Sequence, residues 1–210
     1  MNNLSSFISL SLFSINVFAQ DSSQHSMFSF SGYADAYAAS YSDSLKVSDY
    51  QKYATISPRS NQFGLNIAML TAKYSSKDVR SVFTIQYGDI PRSSWSATYN
   101  FIQEANAGIR ICRNLWFDGG FFRTHIGTEA LLPKENYTSS VAIITYNEQY
   151  YEAGFRLDYE PTEKLSLYAY ALNGYNMYED NTGTKSGGLL TTYVFNANKN
   201  IGHNNSFGDD

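Results

Sequence analysis

From Phe28 to Phe207 apolar and polar residues alternate along runs of roughly 10–12 positions, separated by polar stretches. A period of two sends successive side chains to opposite faces of an extended chain, so each run predicts one β-strand. The predicted strands are Phe28–Tyr41, Asn61–Tyr74, Val79–Gly88, Tyr99–Ile111, Leu115–Ile126, Ile143–Tyr159, Leu165–Gly174, Ser186–Phe195 and Ile201–Phe207. The connections carry a second pattern. Ser75–Asp78, Cys112–Asn114, Glu160–Lys164 and Asn196–Asn200 are short turns, whereas Ser42–Ser60, Asp89–Thr98, Gly127–Ala142 and Tyr175–Lys185 are long and polar. Short and long alternate strictly. In an up-and-down meander every second connection emerges on the same side, and membrane barrels keep one side tight while the other grows. A soluble up-and-down barrel has no comparable reason to sort its loops by length.

Pairing across the turns separates two faces. Around Cys112–Asn114, Ile111 falls opposite Leu115, Ile109 opposite Phe117, Ala107 opposite Gly119 and Ala105 opposite Phe121, an entirely apolar set. The other face pairs Arg110 with Trp116 and Gly108 with Asp118, and brings Glu104 near Phe122. Around Glu160–Lys164 the apolar pairs are Tyr159–Leu165, Leu157–Leu167, Phe155–Ala169 and Ala153–Ala171. The opposite face carries Asp158 with Ser166, Arg156 with Tyr168, and Glu152. At Ser75–Asp78 a four-residue turn would align Ala72 with Ser81 and Leu70 with Phe83. That leaves Phe63, Leu65 and Ile67 on the charged face, so a bulge or another turn length is required there. The last two strands, rich in Thr and Asn, show no clear face.

Either face could point to water in a single hairpin. Three features favour grease outward and charge inward. Glu104, Asp118 and Glu152 sit at mid-strand among aromatics; the strands exceed the roughly 5–6 residues usual in soluble sheets; and tyrosines crowd the strand ends. Tyr37, Tyr41, Tyr87, Tyr99, Tyr146, Tyr150, Tyr151, Tyr175 and Tyr178 adjoin the long loops, while Tyr74, Tyr159 and Phe195 adjoin the short turns. Two such belts fit amphipathic rings at both headgroup levels.

Composition agrees with this picture. Of 210 residues, 43% are hydrophobic and only 16% charged, with 18 Tyr, 14 Phe and 2 Trp. No apolar run of about 20 residues follows the N-terminus, which excludes a bundle of membrane helices. A net charge of -4 offers no basic footprint for nucleic acid. The single cysteine, Cys112, excludes an internal disulfide framework. At the N-terminus, the apolar run Phe7–Ile15 followed by Val17-Phe18-Ala19 predicts a signal peptide over residues 1–19, with the exported part beginning at Gln20.

Several stretches resemble the OmpL-like outer-membrane β-barrel porin family of Gram-negative bacteria. They are NQFGLNIAMLTAKY (Asn61–Tyr74), FTIQYGDIP (Phe83–Pro91), QEANAGIRICRNLWFDGGFFRTHIGTEALLPKEN (Gln103–Asn136) and YYEAGFRLDYEPTEKLSLYAYALNGYNMYED (Tyr150–Asp180). The resemblance spans most of residues 28–210 and implies an outer-membrane location with passive passage of small solutes. It carries no ligand or catalytic residues across. The expected fold is all-β, an up-and-down antiparallel transmembrane β-barrel formed by residues 20–210. Bacterial single-chain barrels normally have an even number of strands. With about nine strands present, the barrel is expected to be incomplete, the N-terminal part of a larger one.

No enzyme is indicated. His25, His125 and His203 stand singly without metal-ligand spacing, and no serine is marked as the partner of His125. Gly119–Phe122 and Ser186–Gly188 suit close strand approach rather than phosphate binding. No cofactor is implied. The candidate functional residues are the inward charges Arg80, Glu104, Arg110, Asp118, Glu152, Arg156 and Asp158. In a wide barrel they would line water and bias ion passage; in a narrow one they would pair and fill the lumen. The expected partners are the outer-membrane lipid bilayer and small solutes or ions, not nucleic acid; homo-oligomerisation stays open. The alternative function is a non-conducting structural or adhesive anchor acting through long loops such as Ser42–Ser60 and Gly127–Ala142.

Overall fold

The computed structural model describes residues 27–41, 46, 49–51, 56–127, 129–130, 132–136, 138, 148–197 and 199–208. The expected signal peptide, residues 1–19, lies outside them, as do Tyr146 and the predicted start of the sixth strand at Ile143. Among the described residues nine strands pair antiparallel in sequence order: β1 (Phe28–Ala39), β2 (Gln62–Ser75), β3 (Val79–Tyr87), β4 (Ile102–Cys112), β5 (Leu115–Arg123), β6 (Tyr151–Thr162), β7 (Leu165–Leu172), β8 (Ser186–Asn196) and β9 (Lys199–Phe207). The sheet is an open meander with β1 and β9 at its edges. One feature was not expected: a short helix, α1 (Asp89–Ser94), occupies the connection before β4. No helix among the described residues is long and apolar enough to cross a membrane, which says nothing of crossing by strands.

The β4–β5 ladder pairs Ile109 with Phe117, Ala107 with Gly119 and Ala105 with Phe121, as the alternation predicts. At its turn a bulge at Ile111 sets Cys112, rather than Ile111, opposite Leu115. In β6–β7 the register differs from expectation by two: Tyr159 faces Leu167, Leu157 faces Ala169 and Phe155 faces Ala171. The ladder breaks across Glu160–Pro161 and resumes with Thr162 opposite Leu165. Pro161 has no N–H for the ladder, so the strand bulges there instead of ending. A slip of two keeps every side chain on its own face, and the facial assignment survives.

The β1–β2–β3 region, whose pattern required a bulge or another turn length, contains both. Ala72 faces Phe83 and Leu70 faces Ile85, a different register from the four-residue turn. A bulge also removes Asn66 from the β1–β2 ladder, with Asp35 opposite Ile67 and Ala36 opposite Leu65. That extra residue reverses the faces beyond it. Phe63 is consequently 91% exposed, whereas Ile67 is completely buried on the charged face.

The sheet is inverted relative to a soluble one. Phe30, Leu70, Phe83, Ile85, Ile109, Phe117, Phe155, Leu157 and Leu189 are exposed, while Thr84, Gln86, Asp118, Glu152 and Asp158 are buried. An apolar surface drawn from seven strands needs a nonaqueous partner, and an acyl-chain environment is the one these strand lengths fit. The edge strand β9 is exposed along nearly its whole length, consistent with the missing facial pattern in its sequence.

The tyrosine belts are only partly present. Tyr87, Tyr159, Tyr175 and Phe195 are exposed at strand ends, but Tyr37, Tyr151 and Tyr178 are buried. Tyr37 belongs to the charged face of β1, where its hydroxyl donates to Asp89 Oδ2 at 2.7 Å. The β7–β8 connection folds Tyr178 back against the wall. Its ring stacks on Phe121 with centroids 4.0 Å apart, its hydroxyl donates to the Gln103 carbonyl at 2.8 Å, and it accepts the Trp95 indole N–H at 3.0 Å. Two long connections are thereby clamped to each other at the long-loop end.

Candidate functional site

The charged face is organised in rows by the ladder. Arg80 (β3), Gly108 (β4), Asp118 (β5), Arg156 (β6), Tyr170 (β7) and Gly188 (β8) are successive cross-strand partners. One row nearer the short turns, Arg110, Trp116, Asp158 and Tyr168 are likewise partners. Asp118 is the hub of the first row and only 1% exposed. It accepts from Arg80 Nε at 2.8 Å and Nη2 at 2.5 Å, and from Arg156 Nε at 3.1 Å and Nη2 at 2.9 Å. Arg80 Nη2 also reaches Asp158 at 2.6 Å. An isolated buried carboxylate is too costly to persist, so such burial requires this degree of pairing.

Arg80 and Asp118 lie on strands separated by β4, about 10 Å apart at two strand spacings. Gly108 opens the path between them. A Cβ at that position would overlap the Asp118 carboxylate oxygen. The sequence therefore supplies a long arginine, a missing side chain and a short acid in three successive strands. Their guanidiniums also use the neighbouring rings: Arg80 lies 4.6 Å and Arg110 4.8 Å from the Trp116 centroid, and Arg156 lies 4.9 Å from Phe122. Such cation–π contacts hold long side chains in place while their edges remain free to bond.

Further toward the long-loop end, Glu104 pairs with Arg123 at 3.2 Å and Gln103 donates to Gln86 at 3.1 Å. Glu152 and His125 form a fully buried pair, Oε2 to Nδ1 at 2.8 Å. The other ring nitrogen faces the Asn205 carbonyl at 3.1 Å, and the ring stacks on Tyr170 at 4.2 Å. Both nitrogens meet acceptors, so the geometry is satisfied by the imidazolium, which donates twice. Burial opposes that charge, but the Glu152 bond and charge and the Asn205 carbonyl outweigh it, raising the His125 pKa above its ordinary value.

The β5–β6 connection, taken from its sequence as an outward loop, lies over the charged face in its described part. Leu132 is buried with Tyr33, Ile67 and Met69 of β1 and β2, and Lys134 lies 4.7 Å over the Tyr33 ring. His125 meanwhile reaches β6, β7 and β9. One connection thus spans the face from one side to the other. Asp89 of α1 adds a second inward contact, with Arg59 at 3.0 Å and Tyr37 at 2.7 Å.

All seven charges singled out in the sequence occupy this face. Arg80, Asp118, Arg156 and Asp158 form one network, Glu104 and Glu152 pair elsewhere, and Arg110 stands on Trp116. Gly108, Trp116, Tyr168, Tyr170, Arg123 and His125 join them without having been chosen. Gly108, Trp116 and Tyr168 were legible as register partners of charged residues, whereas nothing local links His125 to Glu152. The three histidines do not gather: His203 is exposed on β9, and His25 lies outside the described residues. Cys112 is an exposed free thiol at the β4–β5 turn.

Comparison with known proteins agrees with this architecture. The family model described as "Putative beta-barrel porin-2, OmpL-like" matches residues 27–210. Searches of curated proteins and of solved structures return no match.

Proposed function

The chain belongs to the OmpL-like family of beta-barrel porins, and on that premise we propose that it passes small hydrophilic solutes passively across the outer membrane, through a lumen lined by the charged face. Membership implies an outer-membrane, porin-like role. The observation that supports passive passage is the inversion of the sheet: ionised residues are gathered on the covered face and the exposed face is apolar. Arg80, Glu104, Arg110, Asp118, Glu152, Arg156 and Asp158 are the proposed lining, and export through the signal peptide of residues 1–19 of a Gram-negative cell is part of the same proposal. No step requires a cofactor, because selection by width and charge needs only fixed side chains and water.

A second reading has its own support. The inward course of the β5–β6 connection and the pairing of most of the charges would suit a filled, non-conducting barrel that serves as an anchor. Its adhesive form is disfavoured for that loop, since Leu132 is already buried against β1 and β2. Reconstitution of the full-length chain into planar bilayers separates the two. Passive passage predicts discrete conductance steps that need no energy source; a silent bilayer with inserted protein rejects it in favour of the anchor.

A further inference from the structure

The arginines of the charged face are neutralised one by one, with a single exception. Arg80 is shared by Asp118 and Asp158, Arg156 is held by Asp118, Arg123 meets Glu104, and Arg59 meets Asp89. Arg110 has no carboxylate among the described residues, and its Nε is buried without a hydrogen-bond partner. What holds it is the Trp116 ring, 4.8 Å from its guanidinium carbon. Stacking fixes the plane of a guanidinium but leaves its edge donors unused, and that fork matches carboxylate and phosphate oxygens. Around Trp116 the guanidiniums of Arg80, Arg110 and Arg156 face the carboxylates of Asp118 and Asp158, with exposed Glu160 next along that face of β6, and among these cations Arg110 alone forms no ion pair within the described residues.

We infer that Arg110, stacked on Trp116, forms an anion-attracting step at the short-turn end of the charged face, suited to small solutes that carry a carboxylate or phosphate group. The role in passage rests on the porin reading, but the local preference for anions does not require current to be observed. One uncompensated charge roughly 7 Å away in water-like surroundings enriches a monovalent anion about two- to threefold and depletes a cation by the same factor.

Trp116 itself reports the effect. The chain has two tryptophans, and Trp95 is buried whereas Trp116 is half-buried. The full chain in zwitterionic phosphatidylcholine vesicles is titrated with iodide, caesium and neutral acrylamide, each quenching constant being normalised to free tryptophan. Iodide should exceed caesium by roughly four- to ninefold, the square of the single-ion factor. Arg110→Gln should bring that ratio toward unity with acrylamide quenching unchanged, and Arg110→Lys should keep most of it. Equal quenching by both ions in the unaltered chain overturns the inference, as does a ratio that survives Arg110→Gln while acrylamide shows the ring equally accessible. Should the glutamine variant not fold, the unaltered chain still decides. Conductance in the same preparation separates the two levels: a conducting barrel without iodide preference rejects this step alone, whereas a silent bilayer with the preference intact rejects the porin reading alone.

Discussion

Gly108→Ala isolates the arrangement on which the ion network depends. The new methyl would occupy the position of Asp118 Oδ1 and stand 3.1 Å from the Phe117 carbonyl, so the carboxylate must swing away. The 2.8 Å bond from Arg80 Nε is then lost, while Arg156 can still follow the other oxygen. A charge-assisted hydrogen bond contributes about 1.5–3 kcal/mol. Replacing glycine inside a strand returns about 0.5–1 kcal/mol, which leaves a net destabilisation of about 0.5–2.5 kcal/mol. Urea unfolding in lipid vesicles, followed by tryptophan emission with the slope held comparable, measures it. The decisive step is the double-mutant cycle with Asp118→Ala. With the carboxylate gone, only the 3.1 Å approach to the Phe117 carbonyl remains, and Gly108→Ala should lose most of its cost. An equal cost in both backgrounds would refute the idea that Gly108 is there to admit Asp118.

Other consequences are independent of that cycle. The raised His125 pKa means that its pairing with Glu152 stabilises fully below about pH 6.5, the ordinary histidine value, and fades as pH rises through the higher folded value. The stability difference between the unaltered chain and His125→Gln should therefore shrink from pH 5 to pH 9; a flat difference contradicts the imidazolium assignment. Gly120 has φ +134°, and a Cβ there would strike the Ala105 carbonyl oxygen. Gly120→Ala should lower stability by about 2–3 kcal/mol in the same urea assay, and a loss below about 0.5 kcal/mol would show that the wall relaxes freely. Leu132→Ala removes the apolar contact that holds the β5–β6 connection against Tyr33, Ile67 and Met69. With about 2–3 kcal/mol of packing lost, protease cleavage of this connection should accelerate in intact vesicles; unchanged cleavage would mean that other contacts hold it.

The alternation of Ile109, Phe117, Phe155 and Leu157 with Arg110, Asp118, Arg156 and Asp158 was enough to assign both faces, because period-two patterning survives any even slip in register. The same property hid the slip itself. Tyr159 opposite Leu165 and Tyr159 opposite Leu167 give equally apolar pairs, and only the missing N–H of Pro161 hinted that the strand would bulge and run on. At Asn66 the break in phase was visible, since Phe63 and Leu65 fell on the wrong face. The course of the β5–β6 connection was not visible. Leu132 sits in a polar segment without periodicity and His125 near the end of the predicted strand Leu115–Ile126, and their partners Ile67, Met69, Glu152 and Asn205 come from remote strands. Tyr37 and Tyr178 misled for a related reason: a tyrosine near a strand end can serve a headgroup belt or a buried cluster, and only tertiary contacts distinguish them.

Accessibility of the two faces decides which of them meets lipid. Nitroxides placed by Ile109→Cys and Phe155→Cys, in a Cys112→Ser background and in detergent-free vesicles, are compared with one placed by Asn106→Cys on the charged face. With the apolar face in lipid, Ile109 and Phe155 should collide often with dissolved oxygen and seldom with a water-soluble nickel chelate, and Asn106 the reverse. Nickel accessibility at Ile109 and Phe155, with Asn106 sheltered among acyl chains, would contradict it.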